Sequence, residues 1–411
     1  MNTTKLYQED VYLREWQAEI TSVLANENDN NLFTLTLDRT AFFPEGGGQS
    51  CDIGSIGDYE VIDVQEADDT VLHTVRLMSG QLPPAAEVSA KCTLNWERRF
   101  DNMQRHCGEH ILSGIFFDMF GGVNRGFHMG QDYMTIDISL EAKPEVTQIT
   151  YEMALEAELG ANKVIWSDAP VTVLRFDNRE DAEKMPLRKA LAFDEDISIV
   201  CVGSVENAAD CVACCGTHPS TAGQVGLVKI YKVENYKGMF RIYFEAGARA
   251  LKDYDTKHNI LSELSAGYSS SIEDFPDKLR AQEEKLAAAK NELFHIKKAF
   301  IDSHCSRLDE LLDSCTANAL VYKVPLLSLD DTFNMGKRYM NSCKPLILLY
   351  SEKDTSYILV SDGSADCGRL VKEYASFYNG KGGGNKVSAR AIFSSSKDAD
   401  LFADLICKHL K

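Results

Sequence analysis

The spacing of apolar and polar residues changes character along this 411-residue chain. Over residues 1–90 apolar positions alternate with polar ones. "LFTLTLD" and "EVIDVQE" read as strands, and "EGGGQSCDIGSIGD" reads as a glycine-punctuated loop between them. This predicts a small β-barrel or curled sheet, with "QLPP" at 81–84 closing the unit. Over 91–247 the pattern is mixed. "RRFDNMQRHCGEHILSGIFFDMF" carries Ile111, Ile115 and Met119 at helical spacing and is stopped by "GG". "EVTQITYEMALEAELGAN" predicts a second helix, ended by Gly160. "DYMTIDISL", "DISIVCVG", "VGLVKIYKVEN" and "MFRIYFEAG" predict strands.

Over 248–310 the period lengthens to seven. Leu279, Leu286, Leu293 and Phe300 mark one heptad position, and Ala289 and Ile296 fall between them. A long helix or short coiled-coil hairpin is predicted, with Pro276 near a helix start. Over 311–411, "PLILLY" and "SYILVSDG" are buried strands and "CGRLVKEYASFYNG" is helical. "KGGGNKVSARAIF" is a glycine loop leading into a strand or helix. The fold class expected is therefore α+β in four parts. These are a β-barrel-like domain (1–90), an α+β domain (91–247), a helical arm (248–310) and a small α/β domain (311–411).

Composition narrows the setting. No run approaches the ~18 apolar residues that span a bilayer, and the first residues lack the apolar core of a leader peptide. A soluble cytoplasmic protein without a membrane partner is expected. The net charge of −19 argues against indiscriminate polyanion binding. The charge is uneven, however: residues 311–411 hold 13 basic and 11 acidic side chains, about +2, leaving about −21 elsewhere. Within 369–390 five residues are basic and one is acidic. If nucleic acid is bound, this tail is the anchor. Lys381, Gly382, Gly383 and Gly384 present a cation and backbone amides suited to phosphate.

Candidate chemistry lies in two clusters. His106 and His110 are one helical turn apart, which places both imidazoles on one face, roughly 6 Å apart. "CCGTH" adds Cys214 and His218 across a glycine turn. Two histidines from a helix plus a cysteine and a histidine from a turn make a tetrahedral nitrogen–sulfur set for Zn2+. "HxxEH" is also a zinc-peptidase signature, with Glu109 as base and Glu180 or Glu183 as third ligand. That alternative leaves "CCGTH" and "FFPEGGGQ" without a purpose. A third reading is a closed structural zinc. In "TAFFPEGGGQS", Gly46, Gly47 and Gly48 expose backbone amides, Gln49 adds an amide side chain and Thr40 a hydroxyl.

With these segments assembled, the chain resembles the AlaX-type alanyl-tRNA editing proteins. These are free-standing relatives of the editing domain of alanyl-tRNA synthetase. The matching segments are "TAFFPEGGGQ", "RHCGEHILSG", "GFHMGQDYMTIDIS", "CCGTHPSTAGQVGLVKI", "RIYFEAGARAL" and "GKGGGNKVSARA". The last resembles the synthetase's C-terminal domain, as in the long AlaX form. The resemblance implies zinc on His106, His110, Cys214 and His218. It implies hydrolysis of tRNA(Ala) mischarged with serine, with glycine as a second substrate, and contact with the tRNA acceptor end. It assigns Thr40 to the serine hydroxyl and Gln49 to the glycine loop. The heptad pattern of the arm separately suggests a homodimer through the arm or the C-terminal domain. The family pattern is Cys-Gly-Gly-Thr-His. Here Cys215 replaces the first glycine, so Cys211 and Cys215 are rival thiols to Cys214. A non-enzymatic tRNA-binding protein with structural zinc is the alternative.

Overall fold

The computed structural model describes residues 3–410 except 79–80, 144, 193, 342 and 344. It divides into two compact units, 1–264 and 265–411.

The first unit opens with six strands. These are Glu15–Ala25 (β1), Leu32–Leu37 (β2), Gly54–Ile56 (β3), Tyr59–Ala67 (β4), Thr70–Arg76 (β5) and Val88–Leu94 (β6). Hydrogen bonding runs β1–β2–β5–β4–β3–β6, and β6 pairs back onto β1. The sheet thus continues beyond Leu82–Pro84, where the sequence suggested a close, because Val88–Leu94 pairs with two earlier strands. Alternate residues such as Leu35 and Leu37 point into its core, and a bulge between Val61 and Asp63 lets both Val61 and Val64 do so.

Helix α1 (Trp96–Phe120) follows. Asn95 caps it by accepting from the Arg98 N–H, and Gly121 ends it in the left-handed conformation. Arg99 ties its first turns to the loops beside the sheet: the guanidinium donates to the buried Asp52 carboxylate and Ala41 O and to the half-buried Val11 O. Breaking such a buried pair costs about 3–5 kcal/mol. The middle of α1, Asn102 to Gly114, is wholly buried.

Against α1 lies a four-stranded antiparallel sheet. Its strands are Val123–Met129 (β7), Met134–Ser139 (β8), Val228–Tyr236 and Met239–Ala246, and β8 pairs with Met239–Ala246. A three-stranded sheet combines Val171–Asn178 (β9), Glu195–Ser204 (β10) and Asn207–Ala213 (β11). Helix α2 runs Tyr151–Trp166. It passes through Gly160 rather than ending there. A side chain at 160 would sit 3.0 Å from Ile115, so this glycine lets α2 approach α1 instead of breaking the helix. Helix α3 (Gly247–Gly267) carries the chain onward.

The second unit begins with α4, Phe275–Asp313, a continuous 39-residue helix with Pro276 in its first turn. Leu286 and Leu293 of the heptad are about half exposed, whereas Phe300 packs on the core around Cys305 and Leu308. A five-stranded sheet follows: Ala319–Val324, Leu346–Ser351, Ser356–Val360, Lys381–Gly384 and Ser388–Ile392. Lys381–Gly384 is an edge strand paired antiparallel with Ser388–Ile392, not the loop the sequence suggested. The molecule is thus mixed α and β with several sheets. Among the described residues, no helix is long and apolar enough to cross a membrane.

Candidate metal centre

His106 and His110 leave α1 on its buried face, with ring centroids 5.1 Å apart. Cys214 and His218 follow β11 in a turn. The donor atoms of these four residues all lie within 4.8 Å of one another, so the group can hold a metal ion. Cys214 Sγ is 3.5 Å from His106 Nε2 and 3.4 Å from His218 Nε2. A tetrahedral zinc with ordinary Zn–N and Zn–S bonds spaces such donors about 3.5 Å apart, so the residues fit that ion.

The two helix imidazoles are oriented from behind. The Thr217 N–H donates to Gln49 Oε1 at 3.0 Å, which fixes that atom as the acceptor. His106 Nδ1, 2.9 Å from the same oxygen, therefore carries its proton and leaves Nε2 free for a metal. Gln49 Nε2 donates to Thr217 Oγ1 at 2.9 Å. His110 Nδ1 donates to Asp210 Oδ2 at 3.0 Å, and Asp210 is itself held by Arg188. A carboxylate behind a ligating imidazole fixes its tautomer and orientation. The Nδ1 of His218 is buried and has no hydrogen-bond partner among the described residues. Gly216 allows the turn to close: a side chain there would meet the His106 ring at 2.3 Å.

The charge state suits a metal. Burial works against ionisation of Cys214, but the imidazoles of His106, His110 and His218 outweigh it. The thiol is held well below its usual range. A thiolate is the metal-binding form. Asp210 is likewise held below the carboxylate range: burial opposes this, and His110 and Arg188 overcome it.

A cavity of about 390 Å³ opens beside the cluster. His106, His110, Cys214, Glu109, Phe127 and Gly47 lie on its wall, with Arg125, Arg188 and Lys189 supplying positive charge. Gly47 belongs to a tight turn in which Gly46 and Gln49 exchange both backbone hydrogen bonds. Gly47 and Gly48 have φ of +59° and +83°, which explains two of the three glycines. The Gly46 N–H is committed to Gln49, so Gly47 and Gly48 hold the turn's uncommitted donors among the described residues.

Other expected residues fall elsewhere. Thr40 is fully buried and is not on the cavity wall. His73 Nδ1 faces the Leu35 carbonyl, so His73 Nε2 must accept, and the Thr40 hydroxyl donates to it at 2.9 Å. Thr40 Oγ1 in turn accepts the Phe42 N–H. Lys381–Gly384 is exposed on the second unit. Cys215 borders the cavity outside the four-donor group, and Cys211 is buried opposite Cys201 on the neighbouring strand, also outside it. Neither completes the cluster, so Cys214 is the thiol that belongs to it. The peptidase reading loses its third ligand: Glu180 and Glu183 are outside the group, and Glu183 pairs with Arg179. The sequence reading missed Asp210, Thr217 and Arg188. Thr217 was within the "CCGTH" motif, and Asp210 stands four residues before Cys214.

Comparison with known proteins gives the family. A family model described as tRNA synthetases class II (A) matches residues 3–97. Another, the threonyl and alanyl tRNA synthetase second additional domain, matches 197–243, the region that contributes Cys214 and His218. Alanyl-tRNA editing protein AlaX-L of Pyrococcus horikoshii is 33% identical over 67% of this chain and 64% of its own length. The chain belongs to the AlaX-type family. Alanine–tRNA ligases are similar to this AlaX-type chain over nearly its whole length. That of Pyrococcus abyssi is 26% identical over 99% of the chain and 44% of the ligase. That of Korarchaeum cryptofilum is 27% identical over 93% and 42%. The AlaX-type chain therefore spans less than two thirds of these curated relatives.

Proposed function

We propose that this protein is an aminoacyl-tRNA deacylase that clears serine, and secondarily glycine, from mischarged tRNA(Ala). The observation that carries the reading is the four-donor cluster opening onto a cavity in an AlaX-type chain. The ion is Zn2+, held by His106, His110, Cys214 and His218; when bound it supplies a Lewis acid that polarises or orients the ester. Gln49 and Asp210 hold two of the imidazoles in register. In this reading the uncommitted N–H groups of the Gly47–Gly48 turn stabilise a developing oxyanion. Thr40, committed to His73, fixes the strand that leads into this turn. Arg125 and Lys189 offer charge for the acceptor-end phosphates, with Lys381–Gly384 as a second RNA contact. The exposed heptad face of α4 or the C-terminal domain is the proposed homodimer surface, and the cytoplasm is the proposed site of action. The division at 90, 247 and 310 belongs to the same proposal.

Four protein donors already fill a tetrahedral shell, which favours a second reading: a tRNA-binding protein whose zinc is structural. One experiment separates the two. Ser-tRNA(Ala), Gly-tRNA(Ala) and Ala-tRNA(Ala) are incubated with zinc-loaded and chelated protein. Serine release should be fastest, alanine release slowest, and chelation should stop both. Tight tRNA binding with no serine release from the zinc-loaded protein would establish the second reading instead.

A further inference from the structure

Among the described residues of the first unit five carboxylates are buried: Asp52, Glu109, Asp137, Asp210 and Glu245. Four of them have an arginine. Asp52 pairs with Arg99, Asp137 with Arg241, Asp210 with Arg188 and Glu245 with Arg105. Glu109 is the exception. Its Oε1 accepts from two neutral donors, Ser113 Oγ at 2.6 Å and Asn124 Nδ2 at 2.7 Å. Those donors are themselves bonded at 3.0 Å, so α1 and β7 together fix the carboxylate plane. The other oxygen, Oε2, makes no hydrogen bond among the described residues. It lies 4.0 Å from His110 Nε2, and Glu109 forms part of the cavity wall. A buried carboxylate without a cation is costly, and the four arginine pairs show how this fold ordinarily offsets that cost. Glu109 has no arginine of its own: its neighbours of positive character are the His110 ring, 4.0 Å away, and Arg188, which Asp210 already holds.

We infer that Glu109 receives the α-ammonium group of the aminoacyl ester. This rests on the reading of the cavity as an aminoacyl-ester site. The α-nitrogen of an amino acid lies about 2.5 Å from its carbonyl carbon. An ester carbonyl seated at the donor cluster thus brings the ammonium within reach of a carboxylate next to His110. Ser113 and Asn124 hold the geometry without neutralising the charge, which leaves it for the substrate. The contact selects for a free amine and sets the carbonyl's orientation by its far end. Glu109 binds substrate here; it transfers no proton.

The test uses full-length, zinc-loaded protein and two esters of tRNA(Ala). One is seryl. The other is its α-hydroxy counterpart, in which a hydroxyl replaces the ammonium with little change of shape. Wild type should favour the amine in kcat/KM by about 10- to 100-fold, the range of a charge-assisted hydrogen bond. Glu109→Gln, whose amide oxygen still accepts from Ser113 and Asn124, should bring the two esters to nearly equal rates at unchanged zinc content. Asn124→Ala frees the carboxylate to turn and should lower the ratio by a smaller factor. The inference is overturned if wild type treats both esters alike, if Glu109→Gln slows both equally, or if that variant loses zinc. If wild type hydrolyses neither ester, the deacylase reading fails and takes the inference with it.

Discussion

The chain contains two runs of three glycines, and they serve opposite ends. Gly46–Gly48 forms a turn with two left-handed residues and places Gly47 on the cavity wall. Gly382–Gly384 is extended and exposed, an edge strand pressed against its neighbour. In the first run glycine is needed for backbone conformation. In the second it is needed for space: a side chain at Gly382 would lie 1.9 Å from the Arg390 carbonyl oxygen. The same three letters therefore say nothing about structure until their partners are known. Gln49, directly after the first run, is what ties it to the donor cluster.

The largest effect should come from closing the gap that the turn around Cys214 leaves. Gly216→Ala puts a methyl against the ring of His106, a buried member of the four-donor group. Zinc content of the purified variant should fall to background, with hydrolysis lost alongside it; retained stoichiometric zinc would show that the cluster tolerates movement. Next comes Gly382→Ala. Its clash is with backbone, so the second unit should lose about 1–3 kcal/mol, as overpacked sites do, while zinc content stays unchanged. Denaturant melts read the first effect and metal analysis the second. A Gly382→Ala variant that lost zinc would erase the contrast between the two runs.

A subtler difference concerns acid. His73, beneath Thr40, is driven by burial to a pKa of about 4 from 6.5, against the pull of the Leu35 carbonyl. The folded value is depressed, so the neutral ring's contribution is complete above pH ~6.5 and is lost as pH falls towards 4. The loss amounts to about 3 kcal/mol. It should appear as a steeper acid limb for wild type than for His73→Asn, in stability measured from pH 7 to 4.5 on the first unit. Parallel curves would mean that His73 protonates without cost.

How much of this was legible in sequence follows from how far apart the partners are. The bounds of α1 could be read because Asn95 and Gly121 act within one turn of the helix ends. The four-donor group could be read because i,i+4 on a helix and a four-residue turn are local spacings. What Gln49 does could not, since its partners His106 and Thr217 are 57 and 168 residues away. Nor could the strand Lys381–Gly384, because glycine has no strand preference and the pairing with Ser388–Ile392 decides its shape. Gly160 misled for the same reason: a local stop signal was overridden by packing against Ile115. The bond from Thr40 to His73 could not be read either, because His73 carries no sequence signal of its own.

The bond between Gln49 and Thr217 also carries a consequence for how the protein is made. A growing chain displays His106 and His110 long before Cys214 and His218 exist. Until Thr217 emerges, Gln49 lacks one of its two anchors, and the loop that joins them is among the costliest in the first unit to close. The pocket is thus one of the last features of the nascent first unit to be completed. A truncated product ending before residue 214 would carry the paired histidines without their thiolate. Completion of the four-donor group would then mark chains synthesised and folded at least as far as His218.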